Sequence, residues 1–301
     1  MWVATDWHKR MAVEQGYPAH RVFVVNEGVD SEFFEDFVVS QNDPFRFMFF
    51  GRWDYRKAVP EIIGSFLEAF PNENVELILS ADNPFSVDGF NSTEERLEHY
   101  ELKDDRIKVK HFLSRAEYVD YIRSGDVLIT CARSEGWNIP LIEAMAAGTP
   151  VIYSDWGAQL EFAEGIGTPV RILEERPAKI GADLGFAGNV PGNYAEPDFK
   201  DLVVRLRECY ENHSSKKTEA IIAAKKIREN FNWEKIGVDG FATLKQVVID
   251  PSVTEIEGEV AIVLSHADTE EKDYLLKRSI VALKNQGLRV MVSSHIHLSV
   301  R

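Results

Sequence analysis

The stretch SEGWNIPLIEAMAAGTPVIYSDWGAQLEF, Ser134 to Phe162, decides how this chain folds. It reads as a turn, a helix and a buried strand in close succession. Gly136 allows a tight backbone approach, Pro140 suits a first helical turn, and Leu141 to Ala147 is a strong helix former ended by Gly148 and Pro150. The apolar run from Val151 to Ser154 follows as a strand. A helix so placed starts facing the mouth of a sheet, and its unpaired N–H groups and positive dipole end favour an anionic group. Glu135 and Glu143 flank the turn, Glu143 projecting from the same end, where its carboxylate is available to accept hydrogen bonds from a ligand. On the carboxylate pair alone a capped helix in an α/β domain is the stronger reading, because acidic residues are common at helix starts for dipole reasons.

Working outward, FRFMFFGRWDYRKAVPEIIGSFLEAF, Phe45 to Phe70, reads as a buried strand, a turn at Gly51 and a helix from about Val59. Arg52 and Lys57 flank that turn, a pattern that suits an anion but also describes a solvated loop cluster that includes Arg56. RVFVVNEGVDSEFF, Arg21 to Phe34, is a short strand ending in the turn Asn26 to Asp30. Apolar strand candidates at Phe45 to Phe50, Val75 to Ser80, Ile107 to Lys110, Val127 to Cys131 and Val151 to Ser154 alternate with helical patterns. That alternation predicts an α/β fold with a doubly wound, parallel, Rossmann-like sheet and ligands at the carboxyl ends of the strands. No Gly-x-Gly-x-x-Gly fingerprint and no Walker-type loop follows a strand, so a nicotinamide or ATP site is unsupported.

Taken together, these motifs resemble the donor site of retaining glycosyltransferases of family 4, the glycosyl transferases group 1 with the GT-B fold. In that family a Glu, seven residues and a second Glu precede an Ala-Met-Ala, small residue, Gly, x, Pro-Val run, matched here by Glu135 and Glu143 to Val151. Trp137 and Asn138 stand where Phe and Gly are more usual, and Ala58 replaces the Gly that commonly follows the Lys. The resemblance implies that Arg52 and Lys57 clamp the pyrophosphate of a nucleoside-diphosphate sugar and that Glu143 binds its ribose. It places the backbone of Gly136, Trp137, Asn138 and Ile139 against the phosphates and sugar, and Gly28 close to the donor cleft. Glu135 is implied at the reacting centre of the transferred hexose. The physical need is plain: departure of a nucleoside diphosphate builds negative charge, which fixed cations in a dry site stabilise without a metal or other cofactor. The donor would be a UDP- or GDP-sugar and the acceptor a glycan or lipid-linked molecule, as in surface-glycan biosynthesis.

The resemblance also orders the chain. Residues 1–20 look like the last helix of an amino-terminal GT-B domain, 21–249 like the donor-binding domain, 250–258 like an acidic linker, and 259–301 like a partial βαβ unit. That last unit resembles, less specifically, the start of a GT-A type module, or else is an accessory extension. The acceptor half and its catalytically important His are thus expected from another domain or a companion chain, leaving this chain weakly active or inactive by itself. His8, His20, His99, His111 and His213 read as surface or satisfied histidines. The polar run Asp82 to Leu97 reads as an exposed insertion.

Composition sets outer limits. A formal net charge of -15 disfavours nucleic acid and anionic membrane as general partners. Cys131 and Cys209 are too few for a disulfide framework and suit a reducing, cytoplasmic compartment. No signal peptide is visible, and no apolar run reaches the roughly 18 residues a membrane span needs. Two alternatives from other classes stay open: a non-catalytic nucleotide-sugar-binding or interaction module, and an epimerase on the same scaffold, which lacks its distinguishing carboxylates and histidine here.

Overall fold

Five of the six residues Phe45–Phe50 are apolar, and the strand they form is covered on both faces. Phe45, Phe47 and Phe49 point into one cluster and Met48 and Phe50 into another, the period-2 alternation of a strand buried between two helical layers. A computed structural model describes residues 1–249 apart from 36, 39, 40, 86, 87 and 179–191, together with the strands 259–263 and 289–293; side chains are described to residue 244.

The first compact unit, Met1–Gly237, opens with β1 (Trp2–Val3), α1 (Asp6–Glu14) and β2 (Phe23–Val24). A βα alternation follows: β3 (Phe45–Phe50), α2 (Val59–Ala69), β4 (Val75–Ser80), α3 (Thr93–His99), β5 (Ile107–Val109) and α4 (Arg115–Ser124). It continues through β6 (Val127–Thr130), α5 (Ile139–Ala146), β7 (Val151–Ser154), α6 (Leu160–Ala163) and β8 (Thr168–Val170). An antiparallel ribbon of β9 (Ile172–Pro177) and β10 (Asn193–Pro197) leads into α7 (Phe199–Glu211), α8 (His213–Asn230) and α9 (Trp233–Ile249). The main sheet has six parallel strands in the order β5-β4-β3-β6-β7-β8, the doubly wound architecture expected. From β3 the chain winds outward to β5, then crosses back to β6, so the order reverses between β3 and β6.

The strand bounds agree closely with the apolar runs because strands buried on both faces read as continuous hydrophobic segments. On one face α2 and α7 supply Val59, Ile62, Ile63, Phe66, Leu202 and Leu206; on the other, α4, α5 and α8 supply Ile122, Leu141, Ile142, Met145 and Ile227. Phe47 is fully enclosed, and its truncation to Ala would cost about 3 to 5 kcal/mol. Arg46, the polar member of β3, sits opposite Glu76 in register, and their side chains pair at 2.7 Å. Cys131 and Cys209 are both fully buried, and burial raises both thiols, Cys209 to about 11, so they behave as small core residues.

The segment read as an exposed insertion is only partly one. Ser92 caps α3 through Glu95 N at 3.2 Å, and Arg96 is 1% exposed, forked onto Asp88 by two contacts of 2.9 Å. A charged residue is buried here because a bidentate carboxylate satisfies it, which composition alone does not reveal. The second unit, Val238–Arg301, holds β11 (Glu259–Val263) and β12 (Arg289–Ser293), paired in parallel from Glu259 opposite Arg289 to Val263 opposite Ser293. The helix of the expected βαβ unit lies outside the described residues.

Candidate functional site

The carboxyl ends of β3 and β6 lie side by side at the reversal of strand order, where open α/β sheets present a crevice. The two loops that leave them carry most of the expected site residues. After β3 the chain runs through Arg52, buried Trp53 and Asp54 into a 3-10 turn, Tyr55–Lys57. Trp53 stacks on Tyr100 at 5.9 Å, and Asp54 caps the turn by accepting Lys57 N–H at 2.8 Å. After β6 come Arg133, Ser134, Glu135 and Gly136, then Trp137 and Asn138 before α5.

These loops meet at Glu135. Lys57 Nζ lies 2.5 Å from its Oε1, and Arg56 Nη1 lies 3.0 Å from its Oε2 while also donating to Ser134 O at 2.6 Å. Arg52 is less committed: its side chain is 41% exposed, its Nη2 is 4.0 Å from Asp54 Oδ2, and its guanidinium lies 5.9 Å from the Phe85 ring centre. The resemblance implies only Arg52 and Lys57 as the clamp, whereas Arg56 joins Lys57 on the carboxylate. Sequence spacing says that both flank a turn, not that both reach the same carboxylate.

Glu143 occupies a second neighbourhood. Only 4% exposed, it accepts a hydrogen bond from Tyr118 Oη and one from Arg115 Nη1 at 3.2 Å. Arg115 also reaches Asp30 at 2.6 Å and Glu32 at 2.8 Å, drawing the turn after β2 to the start of α4. Burial raises the Glu143 carboxyl above its ordinary range, against the pull of Tyr118 and Arg115, and burial likewise pushes the Tyr118 phenol well up. Neither Tyr118 nor Arg115 could be picked out from the sequence, since both read as an ordinary amphipathic helix start.

Asn138 takes the left-handed conformation, φ 73°, at the N-cap of α5, and Ala58 does so, φ 53°, at the N-cap of α2. The two departures from the usual glycines therefore fall where glycine's freedom is relevant. Asn138 is buried and its amide donates to Thr130 at 2.9 Å and Gln159 at 2.7 Å, whereas Ala58 has no such compensation. Trp137 turns inward against Phe162 and Phe231, so only its backbone remains for the loop. Ile139 is half exposed at the first position of α5, and a Cβ on Gly136 would meet no atom within 4 Å. Gly28 is packed differently: a Cβ there would lie 2.6 Å from the Trp233 ring, and the adjoining Val29 N–H bonds Phe231 O at 2.7 Å. Glu161 accepts Asp6 N–H at 3.2 Å, and Trp156 meets Trp7 edge-on at 5.5 Å.

Among the histidines, His111 is exposed and paired with Asp82 and Glu94 at 3.1 and 3.0 Å. His213 is buried 3.7 Å from Asp126, and its Nε2 makes no hydrogen bond among the described residues. No group of three or more His, Cys, Asp or Glu among the described residues is arranged to hold a metal ion, and none of the described helices is long and apolar enough to cross a membrane.

Residues 30–165 match the model of the family described as Glycosyl transferases group 1. A 102-residue stretch is 26% identical to the Alpha-monoglucosyldiacylglycerol synthase of Streptococcus pneumoniae, covering 34% of this chain and 22% of that protein. The fold is similar to that of the sucrose-phosphate synthase of Thermosynechococcus elongatus, with a TM-score of 0.61 and 19% identity over 81% of this chain and 57% of that one. It is equally similar to Anabaena Alr3699/HepE in complex with UDP and glucose, with a TM-score of 0.62 and 17% identity over 81% of this chain and 62% of that one. The chain thus spans less than two thirds of the length of each of these relatives. The fold is that of the GT-B glycosyltransferases, as the motifs implied.

Proposed function

We propose, from residues 30–165 being a glycosyl transferases group 1 segment, that the crevice at β3 and β6 binds the donor in a sugar transfer that retains anomeric configuration. The observation that carries this reading is the convergence of Lys57 and Arg56 on Glu135 across the reversal of strand order. Lys57, Arg56 and Arg52 hold the diphosphate of a UDP- or GDP-sugar, and the backbone of Gly136, Trp137, Asn138 and Ile139 follows its phosphates and hexose. Glu143 receives the ribose hydroxyls, Gly28 borders the cleft, and Glu135 faces the reacting centre. The bond from the anomeric carbon to the β-phosphate oxygen breaks, and an acceptor hydroxyl bonds to that carbon on the same face. Its proton passes to the departing diphosphate, whose charge the cations stabilise without a metal or other cofactor. A glycan or lipid-linked acceptor is held by a separate GT-B domain or companion chain.

Calorimetric titration with UDP, GDP, ADP and their sugar conjugates tests the donor site. Saturable binding of one base, lost in Glu143→Ala, is expected; no binding to any of them overturns the reading. A non-catalytic nucleotide-sugar-binding module is the second reading, favoured by the closure of Lys57 and Arg56 on both oxygens of Glu135, the residue assigned to the reacting centre. Product analysis separates the two, since transfer yields a free nucleoside diphosphate and a glycoside and a binding module yields neither.

A further inference from the structure

Arg133 is a charged side chain in the interior, 2% exposed, on the loop after β6 and two residues before Glu135. Its Nε and Nη2 take both oxygens of Glu196 on β10, at 2.8 and 2.9 Å, and Nη2 also reaches Glu61 Oε1 in the first turn of α2 at 2.5 Å. Its Nη1 donates to Tyr55 O at 2.5 Å, and its backbone N–H donates to Arg56 O at 2.7 Å. Its guanidinium lies 4.1 Å from the centre of the Tyr55 ring. Arg176 on β9 completes the assembly by donating to both the Tyr55 hydroxyl and Glu196.

The consequence concerns the turn Tyr55–Lys57. Its two carbonyls ahead of Lys57 are both held by Arg133, and the start of the helix behind it is held through Glu61. A 3-10 turn of three residues closes on few bonds of its own, here Lys57 N–H to Asp54 and Ala58 N–H to Tyr55 O at 3.3 Å, so outside donors weigh heavily in its conformation. Five guanidinium hydrogens in a rigid fork suit this task; a lysine ammonium cannot reach three directions in fixed geometry. Nothing in the described contacts gives Arg133 a path to a ligand, because carboxylates, carbonyls and aromatic rings surround it.

We propose that Arg133 is a positioning residue that presets Arg56 and Lys57 for the diphosphate, tying their turn to the β9–β10 ribbon. This rests on the donor-site reading above. It differs from a general structural role in that it acts on one part of the ligand: the turn carries the cations that meet the distal phosphate, while the nucleoside end is held elsewhere.

The test is the affinity of nucleoside diphosphate relative to the matching monophosphate, by calorimetry, in the parent chain, Arg133→Gln, Arg133→Lys and Glu196→Gln. The advantage of the diphosphate should fall about tenfold or more in Arg133→Gln, the range for one charged hydrogen bond, with monophosphate affinity kept. Arg133→Lys and Glu196→Gln should fall between, and they carry the test if Arg133→Gln does not fold. Equal loss of both ligands, or an unchanged diphosphate advantage, overturns the proposal. Hydrogen exchange supplies a readout without ligand: the amides of Lys57 and Ala58 should exchange about tenfold faster in the folded variants. If the parent chain binds no nucleotide, the donor-site reading fails by itself, and exchange at the parent rate in this turn then overturns the positioning role independently.

Discussion

Lys57 Nζ and Glu135 Oε1 stand 2.5 Å apart, joining the loop after β3 to the loop after β6 across the point where the sheet reverses its strand order. Arg56 takes the other oxygen of the same carboxylate. Both partners of the close pair are largely shielded, with side-chain exposures of 12% and 8%. Two cations closed on one internal anion form a site whose affinity for an external anion depends on how readily the internal one lets go.

Glu135→Gln should therefore separate binding from turnover. With the competing charge removed, a free nucleoside diphosphate is expected to bind more tightly by about 1 kcal/mol, roughly fivefold. Sugar transfer should be lost. Calorimetry with the diphosphate alone and a product assay with the sugar donor read the two effects; weaker diphosphate binding in this variant would show that Glu135 does not restrain the cations.

Lys57→Ala and Arg52→Ala should each weaken diphosphate binding by about 1 to 3 kcal/mol, the range for hydrogen bonds to a charged partner. The nucleoside monophosphate should be affected less. Arg52 is the sharper test of the two, since its loss leaves no buried carboxylate unpaired.

The Glu143 carboxyl titrates above its ordinary range because it is buried. A folded-state value above the unfolded one means that the folded chain binds the extra proton, so this contribution to stability is full below the unfolded value near 4.5 and is lost as pH rises through the raised folded value. Relative to Glu143→Gln, the parent chain should lose melting temperature as pH rises across that window. Donor affinity should move the opposite way, rising as the carboxylate ionises and becomes a better acceptor. A pH-independent difference between the two melting curves would contradict the buried, raised carboxyl.

Ala58 and Asn138 share a left-handed backbone but should respond differently to glycine. Ala58→Gly relieves a strained alanine that nothing compensates and should stabilise the chain by about 0.5 to 1 kcal/mol. Asn138→Gly relieves the same strain while removing a buried amide bonded to Thr130 and Gln159, and should destabilise by about 1 to 2 kcal/mol. Urea unfolding of both variants checks the contrast in sign.

At the opposite, amino-terminal ends of the strands, Asp126 lies beside the buried His213 and Lys217 of α8. Burial lowers both bases, Lys217 to about 8, against the attraction of Asp126. Because the folded chain binds the Lys217 proton less readily than the unfolded chain, stability should rise with pH between about 8 and the ordinary lysine value of 10.5. Asp126 keeps acceptor bonds from the backbone of Asn42 and Arg46, so Lys217→Met leaves it satisfied. That variant should be more stable near pH 7 by about 1 to 3 kcal/mol and should lose the alkaline rise, as measured by thermal unfolding from pH 7 to 10.

The sheet was legible because its strands are enclosed on both faces. Phe45–Phe50, Val75–Ser80 and Val151–Ser154 are predominantly apolar runs, the first two broken only by the paired Arg46 and Glu76 and by Ser80, and Gly, Pro and Asn lie between them where the chain must turn. The positions of Arg52 and Glu135 on the loops after β3 and β6 followed from the same pattern, because those loops leave the carboxyl ends of the buried strands.

Which of these charges meet, and which are hidden, was decided by the tertiary structure alone. Arg96 lies in a run read as exposed and Arg133 carried no signal in the sequence, yet both are buried, because each finds carboxylates in fixed geometry, Arg133 from distant elements and Arg96 from the turn just before its own helix. Glu143, expected to project from the start of α5, is its fifth residue, and its partners Tyr118 and Arg115 come from a helix more than twenty residues earlier in the chain. Apolar burial follows the local period of the chain, which a sequence records residue by residue. Polar pairing depends on distances between separate loops, and these exist only once the strands have been ordered into a sheet.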